Sequence, residues 1–297
     1  MPFTSFIDYL ELERKYSSHT ITAYKKDLES FMEFASVEFG YKNITSVNYS
    51  IIRSWIVKLV DSGISNSSIN RKISSLRTYY KFLLKIKEIE VSPLAKHKVL
   101  KTSKKLQVPF SEKEIVDVLE LLNEENGFKG IRNKLIVELF YSTGMRRGEL
   151  VNLKMNDVFF SQKTIKVLGK RNKERIIPLL PTVIDTLNRY LNYRKDLGAI
   201  KDANYLFLTQ KGVKIYETLV YRVVNSYFSA ASEKVKKSPH ILRHSFATHL
   251  LNEGADIKAV KELLGHSSLA STQIYANNSI AKLKQVYKDT HPRNSKY

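Results

Sequence analysis

The chain has 297 residues, 43% hydrophobic and 26% charged, which excludes wholesale disorder and favours two domains over one. It contains no cysteine, so disulfides, thiol chemistry and cysteine-ligated zinc are excluded, and a reducing, cytoplasmic setting is expected. The formal net charge is +20, with 18 basic against 10 acidic residues up to Leu106 and 31 against 19 beyond it. Both halves are therefore basic, and a polyanion touched by both, most simply nucleic acid, explains the excess better than a solubility charge. No apolar run approaches the roughly 20 residues that span a bilayer, and the first residues do not read as a signal peptide, so no membrane partner is expected.

The first hundred residues read as helices. Phe3, Phe6, Ile7 and Leu10 fall at helical spacing, as do Ile21, Tyr24, Leu28, Phe31 and Met32 behind the cap candidates Ser17 and Ser18. Ile52, Trp55, Ile56 and Leu59 form a third stripe ended by Gly63, and Ile69, Ile73, Leu76, Tyr80 and Leu83 a fourth. Together these predict the core of a small helical bundle. The fourth helix has a second face, Asn70, Arg71, Ser74, Arg77 and Lys81, suited to phosphates and base edges; Lys25 joins it from the second helix. On that stripe alone, a solvated polar face is the better explanation.

Ser92-Pro93 closes the bundle, and the lysine-rich stretch after it reads as a linker. The predicted division is 1–94 helical domain, 95–108 basic linker, 109–280 second domain and 281–297 C-terminal segment. The second domain opens with a capping box, Ser111 and Glu114, before the apolar run IVDVLELL. It is mostly helical with one hairpin, TIKVL and RIIPL around the turn GKRNKE.

Four segments of this domain carry candidate chemistry. In YSTGMRRGELVNL, Arg146 stands three residues before Glu149, which can orient a guanidinium fork for a phosphate. The hairpin turn holds Lys170 and Lys173, either of which could reach a reacting phosphate as a proton donor. In SPHILRHSFATHLLNEG, Ser238 and Pro239 start a helix whose first turns carry His240 and Arg243. A metal held by His240, His244 and His249 is the alternative there, without a supporting carboxylate cluster or HExxH motif. In LLGHSSLASTQIYAN, Gly265 stops a helix before His266, and Tyr275 follows as a candidate hydroxyl nucleophile.

The ordered set Arg146, Lys170, His240-x-x-Arg243, His266, Tyr275 resembles the active site of the tyrosine recombinases. TGMRRGEL, LGKRNKER, HILRHSFATHLL, LGHSSLASTQIY and the terminal THPRNSKY resemble the Xer subgroup in particular. FIDYLELERKYSSHTITAYKKDLESFMEF resembles the family's N-terminal core-binding domain, so almost the whole chain is covered. The resemblance implies a mainly α fold with a small β-sheet: a SAM-like helical domain and a mixed α/β catalytic domain, clamped around DNA. It implies that Tyr275 attacks the scissile phosphate, Arg146 and Arg243 hold its oxygens, Lys170 protonates the leaving oxygen, and His240 and His266 assist. No metal, cofactor or ATP is implied. Double-stranded DNA with a specific site, a homo- or heterotetramer with a second Xer-like recombinase, and an FtsK-like DNA translocase are the implied partners. Relatives usually carry Gly where Arg171 stands, which keeps Lys173 open beside Lys170. Chromosome-dimer resolution at a dif-like site is the expected role; a mobile-element integrase, a type IB topoisomerase and a non-catalytic DNA-binding protein are the rivals.

Overall fold

The computed structural model describes residues 3–102, 108–169, 173–234 and 236–265. The chain divides into two compact units, Met1–Lys105 and Leu106–Tyr297.

In the first unit, α1 (Thr4–Asp8) runs on into a π-helical turn, Tyr9–Glu13. It is followed by α2 (Ser18–Phe39), α3 (Tyr49–Asp61) and α4 (Asn66–Lys85). Each long helix starts where a short polar side chain replaces a missing backbone partner: Ser17, Asn48 and Ser65 accept from the amides of Thr20, Ile51 and Ser68. The predicted stripes meet as one core in which Phe6, Leu10, Leu28, Phe31, Ile52, Trp55, Ile69, Leu76 and Tyr80 are buried. Burying each such side chain contributes about 1.5–3 kcal/mol, so this core, not helix propensity, holds the bundle together. Ile21, Tyr24 and Met32 are only partly buried at its margin.

The second unit begins with α5 (Glu112–Glu124), whose capping box is formed as the sequence predicts: Ser111 Oγ accepts from the Glu114 amide and Glu114 accepts from that of Ser111. The α6 helix (Gly127–Thr143) is buried on nearly every side from Gly130 onward and packs against α5 and two later helices, α8 (Pro181–Lys195) and α10 (Pro239–Asn252). Polar residues such as Arg132, Asn133 and Glu138 are buried in it along with the apolar ones, so the helix has no solvent face and forms the centre of its domain. Between α6 and α8 lie the short α7 (Arg147–Val151) and an antiparallel sheet in the order β1 (Val158–Phe159), β2 (Thr164–Leu168), β3 (Glu174–Pro178). The sequence predicts only the β2–β3 hairpin; β1 is two residues long, too short for period-2 alternation to reveal. Register pairs Ile165 with Ile177 and Val167 with Arg175, so Arg175 lies on the sheet face that buries those residues. α9 (Glu217–Ala231) and α11 (Ile257–Leu264) complete the described fold. No helix among the described residues is long and apolar enough to cross a membrane.

Candidate active site

The site begins where α6 ends. Gly144 caps it with φ +59°, and a Cβ there would lie 2.4 Å from the Phe246 ring. Both the left-handed conformation and the close packing of α10 require glycine. The turn delivers Arg146 to the N-cap of α7, and the α7 residue Glu149 folds back on it. Its carboxylate accepts from the Arg146 amide at 2.7 Å and from Arg146 Nη1 at 2.7 Å. The spacing read from the sequence thus becomes a rigid fork, and the second nitrogen, Nη2, reaches the Gly265 carbonyl at 3.2 Å. The Arg146 side chain remains 38% exposed, whereas that of Glu149 is only 5% exposed.

Glu149 has a second cation. Arg175 donates from Nη1 and Nη2 to its two oxygens at 2.9 and 2.7 Å, and from Nε to the Leu263 carbonyl at 2.9 Å. Burial pushes the Glu149 carboxyl upward, but the hydrogen bonds and charge of Arg175, with those of Arg146, outweigh it and hold the pKa below the usual range. The sequence places Arg175 among the cations of the hairpin connection and gives it no role of its own; it lies in β3. Its signal is present nonetheless, because β-alternation places it beside Ile177 on the buried face, where a cation requires a partner.

Arg243 completes the cluster from α10. It is buried and donates to the carbonyls of Gly144 and, at 2.7 Å, Leu264. Burial foremost, then the charge of Arg146, lowers its pKa to about 10, which leaves it charged at neutral pH. His240 stands exposed in the first turn of α10. His249 is buried and bonded to the Tyr141 hydroxyl at 2.9 Å, while His244 is exposed, so these histidines serve different surroundings. Among the described residues no three His, Asp or Glu side chains could together hold a metal ion. Lys173 is exposed, and its carbonyl accepts from Gly169 at the neck of the hairpin. Lys170, His266 and Tyr275 lie outside the described residues.

The predicted DNA face of the first unit has several members engaged within that unit. Asn70 donates to the Leu100 carbonyl and accepts from the Leu100 amide, both at 2.9 Å, while Arg77 donates to the His97 carbonyl at 3.3 Å. Part of α4 therefore anchors residues 97–101, which the sequence reads as linker. Arg71 forms a two-pronged pair with buried Asp27 at 2.6 and 2.9 Å, which Lys72 and Ser75 also serve. Ser74 and Lys81 are exposed, and Lys25 faces Glu29 at 3.8 Å.

A buried carboxylate locking a partly exposed guanidinium beside a second, buried arginine is an arrangement suited to gripping a phosphate group, which an enzyme acting on DNA needs. Comparison with known proteins agrees. Residues 110–282 match the model of the phage integrase family and residues 3–87 that of the phage integrase N-terminal SAM-like domain. The chain is 38% identical to tyrosine recombinase XerC of Anoxybacillus flavithermus over 97% of this chain and 96% of that protein. It is 36% identical to tyrosine recombinase XerD of Staphylococcus haemolyticus, covering 97% of each. In fold it is similar to the XerH site-specific recombinase bound to a palindromic difH substrate, with a TM-score of 0.71 and 24% identity over 95% of this chain and 79% of that one. The chain belongs to the phage integrase family, and within it to the site-specific tyrosine recombinases of the Xer type.

Proposed function

We propose that this protein cuts and rejoins double-stranded DNA at a specific site through a 3′-phosphotyrosyl intermediate on Tyr275. The Tyr275 hydroxyl attacks the scissile phosphorus as the bond to the 5′ oxygen breaks, and Lys170, or Lys173 if the hairpin turn delivers it instead, protonates that leaving oxygen. Arg146 and Arg243 neutralise the non-bridging oxygens, with His240 and His266 assisting phosphate binding and proton transfer. The phosphodiester energy is retained in the tyrosyl ester, so rejoining by the 5′-hydroxyl consumes no ATP, and charge stabilisation by side chains makes a metal unnecessary.

The observation that carries this reading is the locked guanidinium of Arg146, held at two points by a carboxylate only 5% exposed. Its decisive test is trapping on a nicked suicide duplex. Wild-type protein is expected to form a covalent adduct, and Tyr275→Phe to bind the duplex yet form none; an adduct with Tyr275→Phe refutes the assignment. Arg146→Lys, which keeps the charge but loses the fork, is expected to lose cleavage as well.

The Xer-type relatives, matched over nearly the whole chain, favour chromosome-dimer resolution at a dif-like site over mobile-element integration. In that role four protomers, identical or paired with a second Xer-like recombinase, act on two sites in the cytoplasm, with an FtsK-like translocase bringing the sites together. Residues 281–297 dock on a neighbouring protomer, and Ser74, Lys81, Lys25 and Arg71 offer phosphate contacts from the first unit. Binding is expected to weaken steeply with salt as counterions are released. Resolution of a two-site plasmid, without relaxation of arbitrary supercoiled DNA, separates this role from a topoisomerase.

A further inference from the structure

Two chain segments that lead directly into proposed catalytic residues, and the carboxylate that holds a third such residue, lie against a residue with no assigned part in the reaction. Gly169 precedes Lys170, Gly265 precedes His266, and Glu149 holds Arg146. The guanidinium of Arg175 hydrogen-bonds Glu149 and lies near enough to both glycines that a side chain added at either would meet it. A Cβ on Gly265 would lie 3.2 Å from Arg175 Cδ and Nη1, and one on Gly169 would lie 3.4 Å from Nη1. Glu149 receives both terminal nitrogens, and the Leu263 carbonyl at the end of α11 receives Nε.

We propose that Arg175 is a positioning residue for DNA cleavage, holding Glu149, and through it Arg146, in register with the end of α11 and the neck of the β2–β3 hairpin. This rests on the recombinase reading above. The Arg175 side chain is 12% exposed, against 38% for Arg146, so the two arginines that share Glu149 divide the work. Arg146 stays partly exposed while bonded to the carboxylate, and Arg175 is sunk beneath it and fixes that carboxylate. Three acceptor directions lie within reach of one planar group. A lysine ammonium, a point donor on a flexible stem, cannot span both carboxylate oxygens and the Leu263 carbonyl together. A side chain at 265 would crowd the guanidinium, and one at 169 would reach van der Waals contact with it.

The test uses the full chain and a nicked suicide duplex carrying a dif-like site, with duplex affinity and the single-turnover cleavage rate at saturating protein measured separately. Arg175→Lys and Arg175→Met are expected to bind the duplex within about threefold of wild type. Cleavage is expected to fall by at least about tenfold for Lys and about 100-fold for Met, the scale of losing an oriented charge-stabilising donor. If Arg175 acts through Glu149, the double variant Arg175→Met/Glu149→Gln is expected to cleave no more slowly than the worse single variant. Cleavage by Arg175→Lys within about twofold of wild type, at a temperature well below its melting point, overturns the proposal on the scale set by such donors. So do losses that multiply in the double variant, because they mean independent roles. If Arg175→Met fails to fold, Arg175→Lys combined with Glu149→Gln completes the same cycle. A wild-type protein that forms no covalent adduct overturns the recombinase reading and this proposal with it; a normal wild-type adduct alongside an unimpaired Arg175→Lys overturns this proposal alone.

Discussion

Replacing Glu149 with glutamine keeps the shape and removes the charge on which two arginines converge. The carboxylate accepts four hydrogen bonds, two from Arg146 and two from Arg175, all between 2.7 and 2.9 Å. Glutamine offers one acceptor oxygen and turns an NH2 group towards guanidinium donors. Breaking a buried ion pair by removing one partner costs about 3–5 kcal/mol. The exposed Arg146 recovers much of its share from water, so the Arg175 pair sets the loss, about 3 kcal/mol. For a unit of this size, each kcal/mol lowers the melting temperature by about 2–4 °C, so a shift of about 6–12 °C is expected. The protein supplies its own control. Its single tryptophan, Trp55, is buried in the first unit, so its fluorescence follows that unit, while far-ultraviolet circular dichroism follows both. The dichroism transition is expected to move and the fluorescence transition to stay. The gap from wild type should also close in acid. The folded pKa of Glu149 lies below its ordinary 4.5, so its stabilisation is complete above that pH and is lost as pH falls through the lower folded value. A dichroism shift under about 2 °C at neutral pH would show that Glu149 is not holding two cations in a buried pair.

Asp27→Ala leaves Arg71 and Lys72 facing each other without the buried carboxylate; because Arg71 is half exposed, a loss of about 2–3 kcal/mol is expected, read this time by Trp55 fluorescence. Gly144→Ala combines a left-handed backbone with a 2.4 Å approach to Phe246, so about 3 kcal/mol of destabilisation is expected in denaturant unfolding, and a loss under about 0.5 kcal/mol would contradict the packing at the end of α6. The Glu114 carboxyl, pushed up by burial but pulled down further by Lys234, Ser232 and Ser111, has its pKa lowered to about 2. Glu114→Gln is therefore expected to be less stable than wild type above pH 4.5, with the difference shrinking as pH falls towards 2; a pH-independent difference in acid titrations of stability would remove that network from the account.

Much of this molecule is legible without coordinates. Period-3.6 stripes mark α2, α3 and α4, because an amphipathic helix can bury only one face, and Ser17 and Ser111 cap where the chain predicts. Arg146 and Glu149 declare their pairing because the interaction spans a single turn, within reach of a spacing argument. Asn70 and Arg77 show the limit: their helix face is readable, but residues 97–101 that cover it are twenty to thirty positions away. Arg175 shows it again. Its partners, Glu149 and Leu263, are 26 and 88 residues distant, and only the fold brings one guanidinium to both α7 and the end of α11. Local chemistry chooses the elements and proposes the reactive groups. Which charge is sunk among carbonyls and which is left facing outward depends on contacts between remote segments, and those arise only when the core closes.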